Sequence, residues 1–295
     1  MRGFPALREE MAVLRREVRA LRTALAGPRA SLPQALRRRG ILLGRADPAD
    51  GLLFPPTLSA ARQRRLYEQL KRYSFRLFLR DLIAHQESLR PETLTRFCSP
   101  EAAARYVRFL TGCGIIRRGR GGIFRLHRGE VFSFGPTLEW LVAQILMREF
   151  GAPALWGCRL LDLGAGGDYD VLSLVEGALL YVEVKSSPPK HIEGEEVSAF
   201  LARLGELMPN LAIFLVDTEL RMKDKLVVLF EEALSRRREG GDGRDGGHRR
   251  PRRPPAITRL LDETFVIEGS VFLTNTRPSL VQALGTCLRA HFGRR

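Results

Sequence analysis

The chain is short of lysine. Of its 48 basic residues 43 are arginine and five are lysine: Lys71, Lys185, Lys190, Lys223 and Lys225. An arginine-heavy, asparagine-poor composition is what a GC-rich genome writes, so each lysine that is kept is informative. Lysine is a compact point charge whose pKa shifts readily, and arginine does not deprotonate. Cysteine is scarce too. Cys98, Cys113, Cys158 and Cys287 stand far apart, with no Cys-x-x-Cys pair and no Cys/His cluster at zinc spacing. That excludes a disulfide framework and a zinc-finger-like site, and predicts reduced thiols in a cytoplasmic protein. No apolar run approaches the roughly 20 residues that span a bilayer. The opening M-R-G-F-P-A-L-R-E-E has no apolar signal core. No membrane partner is therefore expected. Acidic charge is also in deficit, 33 residues against 48 basic, for a formal net charge of +15. A genomic preference for arginine over lysine does not explain that imbalance. It points to a polyanionic partner, nucleic acid ahead of acidic membrane.

What is present centres on Gly166 to Ser187, G-G-D-Y-D-V-L-S-L-V-E-G-A-L-L-Y-V-E-V-K-S-S. The pattern predicts two β-strands joined by a tight turn at Glu176-Gly177. Residues i and i+2 of a strand share a face, so Glu183 and Lys185 project together while Leu180, Val182 and Val184 face a core. The turn folds Asp170 back toward that pair. Two carboxylates that close repel unless a proton or a cation sits between them. A hard divalent cation such as Mg²⁺ (or Mn²⁺) takes one or two protein carboxylates together with water and phosphate oxygens. A lysine beside it can polarise the attacking water or steady charge building on phosphorus. A plainer reading also stands: Glu183 and Lys185 as a solvated pair on an exposed sheet face, contributing about 1 kcal/mol or less, Asp170 as a turn residue and Glu139 as a helix-surface acid.

At these residues the sequence resembles the PD-(D/E)xK nucleases, the restriction-endonuclease-like superfamily. Asp170 matches the acid that opens one strand, and Glu183-Val184-Lys185 matches the acid-x-Lys of the next. Tyr169 stands where the name-giving proline would be. The family often adds a glutamate on the preceding helix, and Glu139 in T-L-E-W-L-V-A-Q-I-L fits. The resemblance covers roughly residues 135–235. It implies an α/β, restriction-endonuclease-like core in the order α-β-β-β-α-β. It also implies Mg²⁺ (or Mn²⁺) held by Asp170 and Glu183 with Glu139 assisting, Lys185 orienting the nucleophilic water, and hydrolysis of a phosphodiester, DNA first among substrates.

The rest of the chain falls around this segment. Leu7, Met11, Leu14, Val18, Leu21 and Leu25 alternate spacings of four and three, a heptad seam over residues 1–27. It suits either a short coiled coil, and so a homodimer, or an amphipathic helix packed on its own protein. Residues 28–56 read as a Pro-, Gly- and Arg-rich linker. Residues 57–130 predict an α-rich domain: a helix from Ser59 to Gln86, a short helix after Pro91, and a third started by Ser99-Pro100. A hairpin follows, Ile115-Ile116 and Ile123 to Leu126 around R-R-G-R-G-G. Three helices and a basic hairpin resemble a winged helix-turn-helix. In that reading Arg105 and Arg108 on the third helix and Arg117, Arg118 and Arg120 on the wing contact nucleic acid. The same arginines could equally be a solvated surface. Residues 131–295 are read as the nuclease-like domain. Its helix after Pro188-Pro189 has acids in the first turns that suit the helix dipole. Leu211 to Val216 is a central buried strand, residues 221–238 a helix, and residues 239–255 an insertion that cannot form a core. The non-enzymatic alternative is a DNA-binding or assembly protein that keeps this fold as an inactive scaffold.

Overall fold

The structure is a computed structural model and describes residues 27–86, 89–239 and 256–293. The heptad segment up to residue 26, with the dimer expectation it carries, and residues 240–255 of the insertion lie outside the described residues. The fold is mixed α/β. Among the described residues ten strands form an eight-stranded sheet, in the order β1 (Leu42–Arg45), β4 (Ala154–Leu161), β5 (Tyr169–Val175), β6 (Ala178–Lys185), β7 (Leu211–Val216), β10 (Val271–Thr274), β9 (Thr264–Ile267) and β8 (Ile257–Leu261), and a separate hairpin of β2 (Ile116–Arg118) and β3 (Phe124–Leu126).

The segment expected to be a linker is instead structured. Helix α1 spans Gly27–Arg38 and strand β1 spans Leu42–Arg45. β1 pairs antiparallel with β4 (Ala154–Leu161), Leu42 opposite Leu161, so it forms one edge of the large sheet. The single long helix expected over 59–86 is two, α2 (Ala60–Leu70) and α3 (Tyr73–Ala84). Ser59 caps the first by accepting from the Arg62 amide. The short helix after Pro91 is only a 3₁₀ turn, Pro91–Thr93. Helix α4 (Pro100–Cys113) starts as its sequence requires. The Ser99 side chain accepts from the Ala102 amide and Pro100 fills the first turn, where its missing N–H costs nothing. Strands β2 (Ile116–Arg118) and β3 (Phe124–Leu126) make the basic hairpin.

From residue 135 the elements run helix, three strands, helix, strand: α5 (Gly135–Glu149), β4, β5 (Tyr169–Val175), β6 (Ala178–Lys185), α6 (Gly194–Leu207) and β7 (Leu211–Val216). β5 and β6 pair antiparallel, with Val175 opposite Ala178. Only Glu176 and Gly177 turn the chain, both at positive φ, 50° and 79°, the backbone a two-residue hairpin needs. β7 pairs parallel with β6 and with β10 (Val271–Thr274). All six residues of β7 are buried, as a strand covered on both faces requires. The helix expected over 221–238 begins as a π-type turn, Lys223–Val227, and continues as α7 (Val228–Glu239). The strand expected over 265–273 is a hairpin of β9 (Thr264–Ile267) and β10. β8 (Ile257–Leu261) extends it to the far edge, and α8 (Leu280–Phe292) follows.

The sheet has a hydrophobic core on each face. Val171, Val182 and Val184 point into the first, with Leu138, Leu141 and Ile145 of α5 and Leu284 of α8. That core continues without a break into Leu66, Phe75, Phe78, Leu79, Val107 and Leu110 of α2, α3 and α4. The helical segment and the sheet therefore share one interior. Tyr181, Phe214 and Leu172 point into the second core, with Phe200 of α6, Phe230 of α7 and Leu32 of α1.

Candidate carboxylate–lysine site

The period-2 alternation of β6 decides where its charges go. Leu180, Val182 and Val184 take the first core, so Tyr181, Glu183 and Lys185 take the face that α6 covers. Glu183 is only 2% exposed, and the Lys185 side chain 20%. That rules out the plainer reading of a solvated pair on an open face. Asp170 is set against them by the antiparallel register of β5 and β6. Its Oδ2 accepts the Val184 amide at 2.7 Å, between the two charged residues of the acid-x-Lys strand. The structure thus brings Asp170, Glu183 and Lys185 together.

Glu139 enters from α5. Burial first, then Glu183 and Asp168, push its pKa up to about 7, while the Gly157 backbone and Lys185 pull the other way. Burial, Glu183 and Glu139 hold Asp170 well above the ordinary carboxylate range. The three acids therefore lie close enough to oppose one another's ionisation.

Three further partners complete the site. Arg203 of α6 places Nη1 3.0 Å from Glu183 Oε2. The Tyr181 hydroxyl donates to that same oxygen. Lys185 Nζ lies 3.0 Å from Glu183 Oε1 and 2.9 Å from Glu196 Oε1. Burial opposes the charge on Lys185, but Glu183 and Glu196 outweigh it and raise its pKa, so the amine is a cation. Glu196 also closes a capping box with Glu193 at the start of α6, the helix-start role that its position in the sequence suggests. Arg203 reaches Glu183 across the loop before β5. A Cβ on Gly167, at φ +77°, would stand 2.6 Å from its Nη2, so a side chain there would push the guanidinium aside.

The donor set is oxygen-rich, as a hard cation prefers. As the side chains stand, however, Glu183 is held by two cations and a phenol. Among the described residues no three Asp, Glu, His or Cys side chains are grouped so as to hold a metal ion. Asp170, Glu183 and Glu139 offer the oxygen donors a divalent cation takes, and Glu183 is paired instead with Lys185 and Arg203.

A second ionic cluster buttresses this end of the sheet. Asp217 directly follows β7, and its amide donates to the Lys185 carbonyl at 2.8 Å. Its fully buried carboxylate takes Arg76 of α3 at 2.8 Å, and Arg80 on the other oxygen. Arg76 spends its remaining donors on the carbonyls of Leu70 and Lys71, at 2.8 and 3.0 Å.

The five arginines expected to meet nucleic acid, Arg105, Arg108, Arg117, Arg118 and Arg120, are all exposed. Arg105 lies over the Tyr106 ring, 5.9 Å from its centroid. They sit on α4 and on the hairpin, away from the carboxylates in sequence. No described helix is long and apolar enough to cross a membrane.

No family model matches the chain, and no curated protein matches it. Among solved structures it is similar to protein VC1899 from Vibrio cholerae, at 17% identity and a TM-score of 0.41 over 68% of this chain and 55% of that one. It is also similar to Can2 from Sulfobacillus thermosulfidooxidans, solved in complex with cyclic tetra-adenylate, at 13% identity and a TM-score of 0.42 over 67% of this chain and 55% of that one. The chain thus spans about half the length of each.

Proposed function

We propose that the chain is a metal-dependent nuclease with a restriction-endonuclease-like core, hydrolysing phosphodiester bonds, DNA first among substrates. The observation that carries the reading is the seating of Asp170 on the Val184 amide, which sets its carboxylate against the strand bearing Glu183 and Lys185. Asp170 and Glu183 would hold Mg²⁺ (or Mn²⁺), with Glu139 assisting. The ion would supply Lewis acidity at the phosphorus oxygens and a counter-charge for the three acids. Lys185, charged and partly exposed, would orient the nucleophilic water and oppose charge developing on phosphate. Arg105, Arg108, Arg117, Arg118 and Arg120 would hold the substrate's backbone, giving affinity that falls with salt.

One observation favours a second reading, a nucleic-acid-binding or assembly protein with an inactive nuclease-like scaffold. Arg203 and Lys185 already neutralise Glu183, so the fold needs no metal to bury that acid. Cleavage of a labelled DNA in Mg²⁺ or Mn²⁺ separates the two. The nuclease reading expects Asp170→Asn and Lys185→Ala each to lower the rate by about 100-fold or more. Equal rates for wild type and both variants place the activity elsewhere, and tight binding without cleavage in either cation selects the scaffold.

A further inference from the structure

We propose that the cavity between the C-terminal end of α3 and the β2–β3 hairpin is a seat for a backbone phosphate of a nucleic-acid strand, gripped by Arg117 and Arg125. The inference rests on the nucleic-acid reading above for its occupant, and on nothing at the carboxylates.

Arg117 and Arg125 are direct cross-strand partners, so their side chains leave the hairpin on the same face. Like charges directly opposite one another destabilise a ladder. Among the described residues neither has an acid in an ion pair to relieve this. Both line a cavity of about 830 Å³ together with His85, Gln86, Thr93 and Glu130. Among the described residues, two arginines thus face one glutamate there. An anion between the two guanidinium groups removes the repulsion, and phosphate suits their planar forks.

The wall is built in advance. Gln86 donates to the Val131 carbonyl at 3.0 Å and accepts the Val131 amide at 2.9 Å. That double bond fixes the segment carrying Glu130, so little ordering remains to oppose binding. Two features select a strand over a bare anion. The cavity is far larger than a phosphate and lies in the range of about 300–1,000 Å³ that organic ligands fill. Phe132, outside the cavity lining but next in sequence to the pinned Val131, is 88% exposed, and an exposed ring of that kind is a platform on which a base stacks.

The test is the anisotropy of a short labelled oligothymidylate in EDTA, titrated with the full chain over a series of salt concentrations. Arg117→Ala/Arg125→Ala is expected to weaken binding about tenfold or more. It should also make the slope of log affinity against log salt shallower by about 0.7, the share of the one phosphate no longer neutralised. Arg117→Lys/Arg125→Lys keeps the charge and is expected to keep the slope while giving up bidentate hydrogen bonding. Arg221→Ala/Arg236→Ala, an equal loss of charge elsewhere, is expected to change affinity by less than about twofold. The seat is overturned if the Arg117/Arg125 alanine pair binds with wild-type affinity and slope, or if the control pair falls equally far. Asp170→Asn separates this from the hydrolytic reading. Binding that needs Arg117 and Arg125 while Asp170→Asn still cuts leaves the seat standing and removes the carboxylates as the hydrolytic site. Cleavage that needs Asp170 while binding ignores both arginines does the reverse.

Discussion

Glu139 gives the most direct measure of what burial, with the neighbouring acids, does to a charge at this site. Its folded pKa of about 7 lies above the ordinary value of 4.5, chiefly through burial and then through Glu183 and Asp168. A carboxyl with a raised folded pKa is protonated more readily in the folded state than in the unfolded one. Its contribution is therefore complete below about pH 4.5 and is lost as pH rises through about 7. The difference between those two values, at about 1.4 kcal/mol per pH unit, amounts to about 3 kcal/mol. Glu139→Gln removes the titrating group while keeping its shape. In metal-free buffer, the stability of wild type minus that of Glu139→Gln, from urea unfolding, should fall by about 3 kcal/mol between about pH 4 and pH 8. Added Mg²⁺ should restore much of the loss at the alkaline end, because a bound cation supplies the missing counter-charge. A difference that stays flat across that pH range refutes the argument: Glu139 would then be ionised without opposition, and the acids would not form one electrostatic unit.

Two further outcomes test the scaffold. Asp217→Ala strands Arg76 as a buried charge without its carboxylate, and should cost about 3 to 5 kcal/mol in denaturant unfolding. A loss below about 1 kcal/mol would mean that Arg76 finds water instead. Gly177→Ala forces a side chain to φ 79° in the turn that aligns Asp170 with Glu183, and should destabilise by about 1 kcal/mol, read as a lower urea midpoint at unchanged slope.

The sequence made the local parts of this structure legible. Alternation and Glu176-Gly177 specified the β5–β6 hairpin and the face on which Glu183 and Lys185 lie. The run Leu211 to Val216 specified the buried central strand, and Ser59 and Ser99 specified two helix starts. What was missed is set by distant contacts. β1 is four residues, L-L-G-R, with no alternation of its own, and becomes a strand only by pairing with β4. The break between α2 and α3 falls at Lys71-Arg72, where neither glycine nor proline marks it. Arg203 sits on a helix as one arginine among 43, and only the fold brings it to Glu183. Asp217 did leave a signal: an acid directly after a wholly apolar strand must be buried with a partner or end the strand at the surface.

The interior shared by the helical segment and the sheet has a mechanical consequence. Side chains of α2, α3 and α4 lock into those of α5 and β6, and Arg76 bolts α3 to the residue after β7. The hairpin therefore cannot swing freely relative to Lys185. A strand held at one place and cut at the other would be measured as if by a stiff ruler, with the break falling a set number of nucleotides from the grip.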